Sequence, residues 1–386
     1  MTPFEAATHV DPYVYYSCLR QQRELLFDAD LGVWIASGAG VVEAILEHPD
    51  CLVRPLHEPI PTALAQGAAG HVFGRLMRMN EGTQHQCPRR VIEPILASMG
   101  TQNIAGLVAQ VVETFDISGD NPNEWMFTLP VSVIASLIGF TSSQLKEVVQ
   151  LTRDFVACLS PLSDEAQLGK AHCAAARLSQ MFQTLLSNDD KGSGVLGRLY
   201  SDYDASAWED DDALIANLIG LLSQTCEATA GLIGNTLIAL QRKPELFEGM
   251  QATPTLVAGW VAEVARHDSP VQNTRRFVAR RCKIGDSVLE AGDTILLLLA
   301  AANRDPCANP DPDSFLLKRA RRRTFSFGSG RHQCPGQPLA LAIASEVISA
   351  FLHRQPNASA RDYRWRYLPS LNGRIPQFCR DEETQQ

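Results

Sequence analysis

Of the ten cysteines, one lies in a glycine-rich loop near the end of the chain whose residues could favour ionisation of its thiol. Cys334 lies between Gly330 and Gly336, directly before a helical pattern. Glycine permits positive φ and close backbone approach, and the start of a helix presents unpaired N–H groups that favour a thiolate. Arg331 and His332 add positive charge. A thiolate in this position serves as a nucleophile or a metal ligand; a phosphate-binding loop is the alternative, but no GK[ST] follows.

The same loop resembles the heme-binding loop of the cytochrome P450 family. Residues 327–336 read Phe-x-x-Gly-x-x-x-Cys-x-Gly, and all four fixed positions match. Glu263 and Arg266 resemble the ExxR pair of that family, because residues three apart share a helix face and can pair. His85-x-x-x-Arg89 resembles the HxxxR pattern that faces the heme carboxylates. The landmarks follow the family's order along the chain.

The resemblance covers about residues 10–380 and implies a role for each landmark. Cys334 would be the proximal ligand of the iron in heme b, since a thiolate pushes electron density onto iron and favours O–O cleavage. Glu263 and Arg266 would form a structural pair. The other implied heme contacts are Phe327, Gly330 and Gly336 in the loop, and His85, Arg89, Arg275 and His332 at the two propionates.

The central apolar segment departs from the family at its distal motif. The pattern A-G-x-[DE]-T falls on residues 224–228, where Glu227 supplies the acid and Ala228 replaces the alcohol. Thr229 lies about 100° further around a helix, so it should not simply replace the hydroxyl. Burial should raise the pKa of Glu227 and suit it to relay protons. The candidates for the final proton donor are Gln224, Thr225, an ordered water or the substrate itself.

A second departure is Ser314, where relatives commonly have an arginine beside the ExxR pair. We expect Arg319 or Arg323 to replace it. The fold analogy also implies a partly polar pocket wall, and a purely apolar substrate would leave such donors unpaired at a cost. A substrate with polar groups is therefore expected, in contact with Leu218, Leu222, Val271, Gln272, Asn273, Thr274 and Asn372.

The elements that must position these residues indicate a mainly α protein with a small β portion after residue 270. No linker separates domains, so residues 1–386 should form a single domain. The resemblance implies that this is a cytochrome P450 domain with the heme between the central distal helix and the proximal cysteine loop and helix. The helical patterns cover 13–22, 40–47, 84–115, 124–195, 213–240, 255–267 and 337–353, and the short strands cover 275–279, 282–289 and 293–299.

Composition supports a globular protein and argues against two classes of partner. Hydrophobic residues make up 45% and charged residues 20% of the 386 positions, and the net charge of −9 is unfavourable for nucleic-acid binding. The segment 213–240 is long enough to span a bilayer, but Glu227 near its middle would be costly in lipid. The N-terminus shows no signal peptide, and ten cysteines without a CxxC pair suggest reduced thiols. We therefore expect a cytoplasmic location and no membrane partner.

The resemblance implies a bacterial-type heme-thiolate monooxygenase that inserts one oxygen atom of O2 into a small organic molecule. No fused flavin or iron–sulfur domain is visible, so an NAD(P)H-driven ferredoxin reductase and ferredoxin would supply the electrons. Because Ala228 lacks the alcohol, the alternative is an atypical enzyme that uses peroxide or catalyses oxidative coupling, isomerisation or dehydration. A second alternative is a non-catalytic heme protein that binds a ligand. Substrate, regiochemistry and oligomeric state are open.

Overall fold

Helices make up most of the protein, as the sequence patterns predict. The structure is a computed structural model, and it describes residues 1–100, 102–115, 122–187, 210–244, 254–355 and 363–379. Short 3-10 turns lie between the helices, among them Met77–Met79 and Gly330–His332. The helices are α1 Pro3–Ala6, α2 Tyr13–Gln22, α3 Ala39–Glu47, α4 Ala68–Arg75, α5 Thr83–Gly100, α6 Ile104–Thr114, α7 Pro122–Ile138, α8 Leu145–Val156, α9 Glu165–Ser187, α10 Asp211–Arg242, α11 Pro254–His267, α12 Leu299–Asn303 and α13 Gln337–Arg354.

The β portion consists of one five-stranded sheet and two hairpins. The sheet has the order β1-β2-β7-β4-β3; β2 and β7 are parallel and the other pairs are antiparallel. The hairpins are β5–β6 and β8–β9. The strands are β1 Leu25–Asp28, β2 Val33–Ala36, β3 Cys51–Leu52, β4 Thr274–Val278, β5 Cys282–Ile284, β6 Ser287–Leu289, β7 Thr294–Leu297, β8 Arg364–Tyr367 and β9 Pro376–Cys379.

Two of the long helical patterns are interrupted in the structure. The pattern 84–115 divides into α5 and α6, because Asn103 caps a new helix by accepting a hydrogen bond from the Gly106 N–H at 2.9 Å. An N-cap of this kind satisfies an otherwise unpaired amide and fixes where a helix begins. The pattern 124–195 divides into α7, α8 and α9, and its residues 188–195 lie outside the described residues.

The central helix α10 organises the core. Asp210 caps it by accepting from the Ala213 N–H at 2.9 Å, and α10 then packs against α4, α7, α8, α9, α11 and α13. Its apolar residues are therefore covered by other helices. In the part of the chain described, no single helix is long and apolar enough to cross a membrane, although the bent pair α5 and α6 passes the same test by length and composition.

Candidate active site

The cysteine loop is a tight turn that leads into α13. The Cys334 N–H donates to the Phe327 carbonyl at 2.8 Å, so the loop closes on itself. Gly328 and Gly330 have φ of 71° and 66°, a region that L side chains rarely adopt. A Cβ on Gly330 would also lie 2.8 Å from the Glu47 side chain at the end of α3. The two glycines thus allow the loop to lie against α3 with the cysteine at its tip.

The Cys334 thiol is held by backbone amides but is not ionised by them. Burial raises the pKa of Cys334, and this effect outweighs hydrogen bonds from the Gly336 and Gln337 amides and the charges of Arg89 and Arg78. The amides therefore favour the thiolate, as the sequence indicates, but by themselves they do not offset the effect of burial on the pKa. Because a coordinating thiol is deprotonated outright by a metal ion, a bound iron would supply the missing positive charge.

A compact charged cluster lies beside the loop and includes two of the predicted propionate contacts. The His85 and His332 rings stack with centroids 4.2 Å apart. Glu81, which the sequence reasoning missed, lies 3.1 Å from His332 Nε2 and 2.9 Å from Arg331 Nε. These partners lower the pKa of Glu81 to about 2, against the opposing effect of burial. Burial and the neighbouring His332 and Arg89 lower the pKa of His85 to about 4.

Arg275, which the sequence also predicts as a propionate contact, is not part of this cluster. Successive residues of a strand point to opposite faces, and Arg275 is exposed, with its guanidinium over the Phe4 ring. Arg276 is 5% exposed instead, and its Nε has no hydrogen-bond partner among the described residues. Burial lowers the pKa of Arg276 to about 10, and Glu81 opposes that effect. Arg276, and not Arg275, is therefore the cation that faces this cluster, because a shift of one residue along a strand reverses the face.

Arg89 connects the cluster to the cysteine loop. Its Nη1 donates to the Arg331 carbonyl at 2.6 Å and its Nε donates to Glu93 at 2.7 Å. Arg89 also acts on the pKa values of both Cys334 and His85. The guanidinium therefore lies between the thiol and the cation cluster.

On the distal side, α10 presents an open strip of residues near its middle. Glu227 keeps accessible surface although neighbouring groups enclose it, the combination expected on the wall of an internal space. Burial raises the pKa of Glu227, and Arg78 opposes that effect. Ala228 is half-buried beside it, whereas Thr229 is 3% exposed and buried in the core. Thr229 thus does not replace the missing hydroxyl on this surface.

The two polar residues a turn earlier are bonded to their own helix. Gln224 Nε2 donates to the Gly220 carbonyl at 2.9 Å, and Thr225 Oγ1 donates to the Leu221 carbonyl at 2.8 Å. The single hydrogen of the Thr225 hydroxyl is bonded to the backbone, and the Gln224 amide, which uses one of its two N–H donors there, is too weak an acid to supply a proton.

The predicted ExxR pair is buried and more strongly supported than the sequence suggests. Arg266 and Glu263 lie 2.7 Å apart, both with no side-chain exposure. Arg319 contacts the same carboxylate at 3.3 Å, as expected, and Arg322, which was missed, contacts it at 2.8 Å. The other candidate, Arg323, pairs with Glu43 instead. Two arginines from the loop before the cysteine therefore compensate for the arginine absent at position 314.

Most of the residues predicted to line the substrate pocket are buried and do not face an open space. Leu218 and Leu222 have no accessible surface and belong to the core. Gln272 is equally buried and donates to the Ser269 carbonyl at 2.7 Å, and Asn273 donates to the Leu371 carbonyl at 2.8 Å. In the described structure these four residues are buried, and the two polar side chains are engaged in internal hydrogen bonds instead of facing an open space. Asn372 is exposed in a turn, and the half-buried residues are Val271 and Thr274.

One cavity lies further along the central helix. It has a volume of about 200 Å³ between α4, α9 and α10, and its rim carries His71 and Asp212, whose side chains lie 3.2 Å apart. It does not include the cysteine loop or Glu227. The chemistry-bearing residues are thus in a separate region.

The assembled residues fit a heme. Cys334 is partly accessible at the tip of its loop, and the small side chain of Ala228 leaves room on the distal side. Four donors suited to two carboxylates surround one end of the site, and the Arg276 Nε there has no partner among the described residues. These donors are His85, Arg89, Arg276 and His332.

Comparison with known proteins agrees with this geometry. A family model described as "Cytochrome P450" matches residues 215–354. The chain is 25% identical to the biotin biosynthesis cytochrome P450 of Bacillus subtilis, over 93% of both chains. It is 28% identical to the cytochrome P450 monooxygenase PikC of Streptomyces venezuelae, over 94% of this chain and 89% of the relative. Among solved structures, P450BioI in complex with an acyl carrier protein ligated to hexadec-9Z-enoic acid aligns with TM-score 0.80 and 23% identity, over 95% and 97% of the two chains.

Proposed function

The chain belongs to the cytochrome P450 family, whose members bind heme b, and from that premise we propose that it uses O2 to insert one oxygen atom into a small organic molecule, with electrons from a separate ferredoxin. The observation that carries the proposal is the closed Cys334 loop, whose Cys334 N–H donates to the Phe327 carbonyl at 2.8 Å, with the stacked His85 and His332 rings beside it. A cysteine ligand on one side and a proton-carrying acid on the other are the two protein groups that this reaction needs.

The residues that hold the cofactor follow from the geometry above. Heme b bound at Cys334 activates O2 when two electrons are delivered. The Gly336 and Gln337 amides donate to the cysteine sulfur and orient it. His85, Arg89, Arg276 and His332 would bind the propionates, while Glu81 holds Arg331 and His332 in place.

Glu227 would carry protons between solvent and the oxygen site. Its raised pKa keeps a larger share of the acid protonated near neutral pH than an exposed glutamate would have. Ala228 offers no hydroxyl, the Thr225 hydroxyl hydrogen is bonded to the helix backbone, and the Gln224 amide is too weak an acid to supply a proton. The last step to oxygen therefore falls to an ordered water in the space left by Ala228, or to a polar group of the substrate.

The test is Cys334→His, with Cys173→His at an exposed cysteine as the matched control. The wild type and the control should give a reduced CO complex with the absorption band of thiolate ligation. Cys334→His should retain heme and lose that band. Substrates should then be oxygenated when NAD(P)H, ferredoxin reductase and ferredoxin are present. An unchanged band in Cys334→His would contradict the assignment.

A second candidate function is favoured by Ala228. Activation of O2 needs protons from the protein, and without the hydroxyl their delivery is less efficient. Hydrogen peroxide already carries two protons and depends less on that delivery. The substrate screen should therefore be repeated with hydrogen peroxide alone. Product formed only under those conditions, with no product from the ferredoxin system, would favour the peroxide reaction.

A basic surface near the cysteine loop is our candidate docking site for the ferredoxin. Several basic residues near the cysteine loop are engaged internally, since Arg319 and Arg322 bind Glu263, and Arg331 binds Glu81. Their guanidiniums are held in internal ion pairs and are less available to a partner protein. The exposed cations near the loop that form no ion pair among the described residues are Arg90, Lys318 and Arg321, and we place the docking of an acidic ferredoxin there because a local charge of one sign steers an opposite partner.

A further inference from the structure

Arg78 is a half-buried cation, and no described residue supplies a negatively charged or hydrogen-bonding partner for its guanidinium. It lies in the turn Met77–Met79, and its side chain keeps accessible surface although neighbouring groups enclose it. Its Nε is buried, and no described residue forms a hydrogen bond or an ion pair with its guanidinium. An unpaired buried charge is costly, so a guanidinium in this state is expected to serve an anion that binds there.

The turn that carries Arg78 is rigidly attached to the distal helix. The Met77 N–H donates to Asn217 Oδ1 at 2.8 Å, and Asn217 Nδ2 donates to the Arg75 carbonyl at 2.9 Å. Asn80 Nδ2 closes the turn from the other side by donating to the Leu76 carbonyl at 2.8 Å. The backbone at position 78 is thus fixed before any ligand binds, which lowers the ordering cost of binding.

The surroundings place Arg78 on the substrate side and not among the propionate donors. The groups that act electrostatically on Arg78 are Glu227 first, then Cys158 and Cys334. Those that act on Arg276 are Glu81, Arg331 and Cys51. The two sets do not overlap, so the two guanidiniums face different parts of the site.

Glu227 does not neutralise Arg78. The two side chains form no ion pair within the described residues, and burial raises the pKa of Glu227, which reduces its negative charge. Arginine itself keeps its charge at neutral pH even where burial lowers its pKa. One full positive charge therefore remains beside the distal surface of α10.

Resting on the proposed function, we propose that Arg78 binds a carboxylate of the substrate, so that the site takes organic acids in preference to the alcohols of the same carbon skeleton. A guanidinium matches a carboxylate with two parallel hydrogen bonds. A single cation also suits a single negative charge better than a phosphate, which carries nearly two. The carboxylate would fix the distance between the anchored end of the substrate and the carbon that reacts.

The test measures binding to the heme-loaded protein with probes that report occupancy of the distal side. The probes are ω-(imidazol-1-yl)alkanoic acids of graded chain length and the matching ω-(imidazol-1-yl)alkan-1-ols, whose imidazole binds the heme iron and shifts the Soret band. At the best chain length the acid should bind about 10- to 100-fold more tightly than the alcohol, the range for a charge-assisted hydrogen-bonded pair. Arg78→Gln should remove this preference, and Arg78→Lys should keep part of it.

Arg75→Gln is the matched control, because it removes the same charge from the end of α4, where the Arg75 side chain contacts only His71 among the described residues. It should leave the preference unchanged. Equal binding of acids and alcohols by the wild type at every chain length would overturn the proposal. So would tighter binding of the matching phosphonates than of the acids. An equal loss of both probe classes in Arg78→Gln would also overturn it, because Arg78 would then serve the heme.

Free imidazole and the CO complex separate this inference from the proposed function. If both show a thiolate-ligated heme that is accessible on its distal side, and the acids are still not preferred, the inference about Arg78 fails and the function stands. If the CO complex lacks the thiolate band, the proposed function itself fails.

Discussion

Replacing the buried Glu263 with glutamine tests whether its carboxylate stabilises the folded protein through the three arginines around it. The carboxylate lies 2.7 Å from Arg266, and neither side chain has any exposure. The same carboxylate binds Arg319 and Arg322 and accepts the Leu316 N–H at 3.1 Å. Glu263→Gln keeps the shape of the side chain but removes the negative charge that three guanidiniums share.

The expected loss of stability is large because the remaining charges stay buried. Removing one partner of a buried ion pair costs about 3–5 kcal/mol, whereas an exposed pair contributes at most about 1 kcal/mol. The exposed control is Glu124→Gln, whose carboxylate lies 3.3 Å from Arg153 and is 69% exposed. With a urea slope of about 3 kcal/mol per M, Glu263→Gln should lower the unfolding midpoint by about 1 to 1.7 M.

Urea unfolding followed by tryptophan fluorescence measures this difference, since Trp260 is fully buried one turn before Glu263. Arg322→Met should also destabilise the protein more than Arg323→Met, because Arg323 contacts the exposed side of α3 and not the buried carboxylate. Equal midpoints for Glu263→Gln and Glu124→Gln would refute the reasoning that the buried charge is shared.

Three further predictions concern protons and charge. Ala228→Thr should weaken substrate binding by a larger factor than the factor by which it lowers hydrogen peroxide release. A gain in coupling for every substrate tested would instead show that the missing alcohol only makes oxygen activation less efficient. Neutralising Lys318 and Arg321 together should slow reduction by ferredoxin and weaken its salt dependence in stopped-flow measurements, and unchanged rates would place docking elsewhere. Burial and Arg304 lower the pKa of His267 to about 4. Because the folded value lies below the unfolded value of about 6.5, stability should fall between pH 6.5 and 4 in urea titrations, and His267→Gln should reduce that fall.

The sequence alone showed the resemblance to the cytochrome P450 family and the mainly α fold, and it predicted Cys334 as the iron ligand. The loop at 327–336 has an unusual combination of glycines and cysteine, and the long apolar segment with one acid at its middle is better explained as a buried core helix than as a membrane span. Both signals are local, because turn glycines and helix periodicity act over a few residues. The distal departure at Ala228 was also visible, since it needed only the spacing along one helix.

The tertiary structure decided which side chains face the site. Arg276 and not Arg275 is buried beside Glu81, because the pairing of β4 with β7 sets which face each residue occupies. Gln272 accepts a hydrogen bond from the Tyr16 hydroxyl and Asn273 donates one to the Leu371 carbonyl, and spacing along the chain cannot reveal such distant partners.

The charge state of the site was equally beyond the sequence. Burial of the Cys334 thiol outweighs the helix amides that were expected to ionise it. Arg78 is an ordinary arginine in a loop until the fold encloses it beside Glu227 without a partner among the described residues. Electrostatic free energies depend on distances and burial in three dimensions, so the order of residues determined which charges exist, and only the packing decided which of them remain uncompensated.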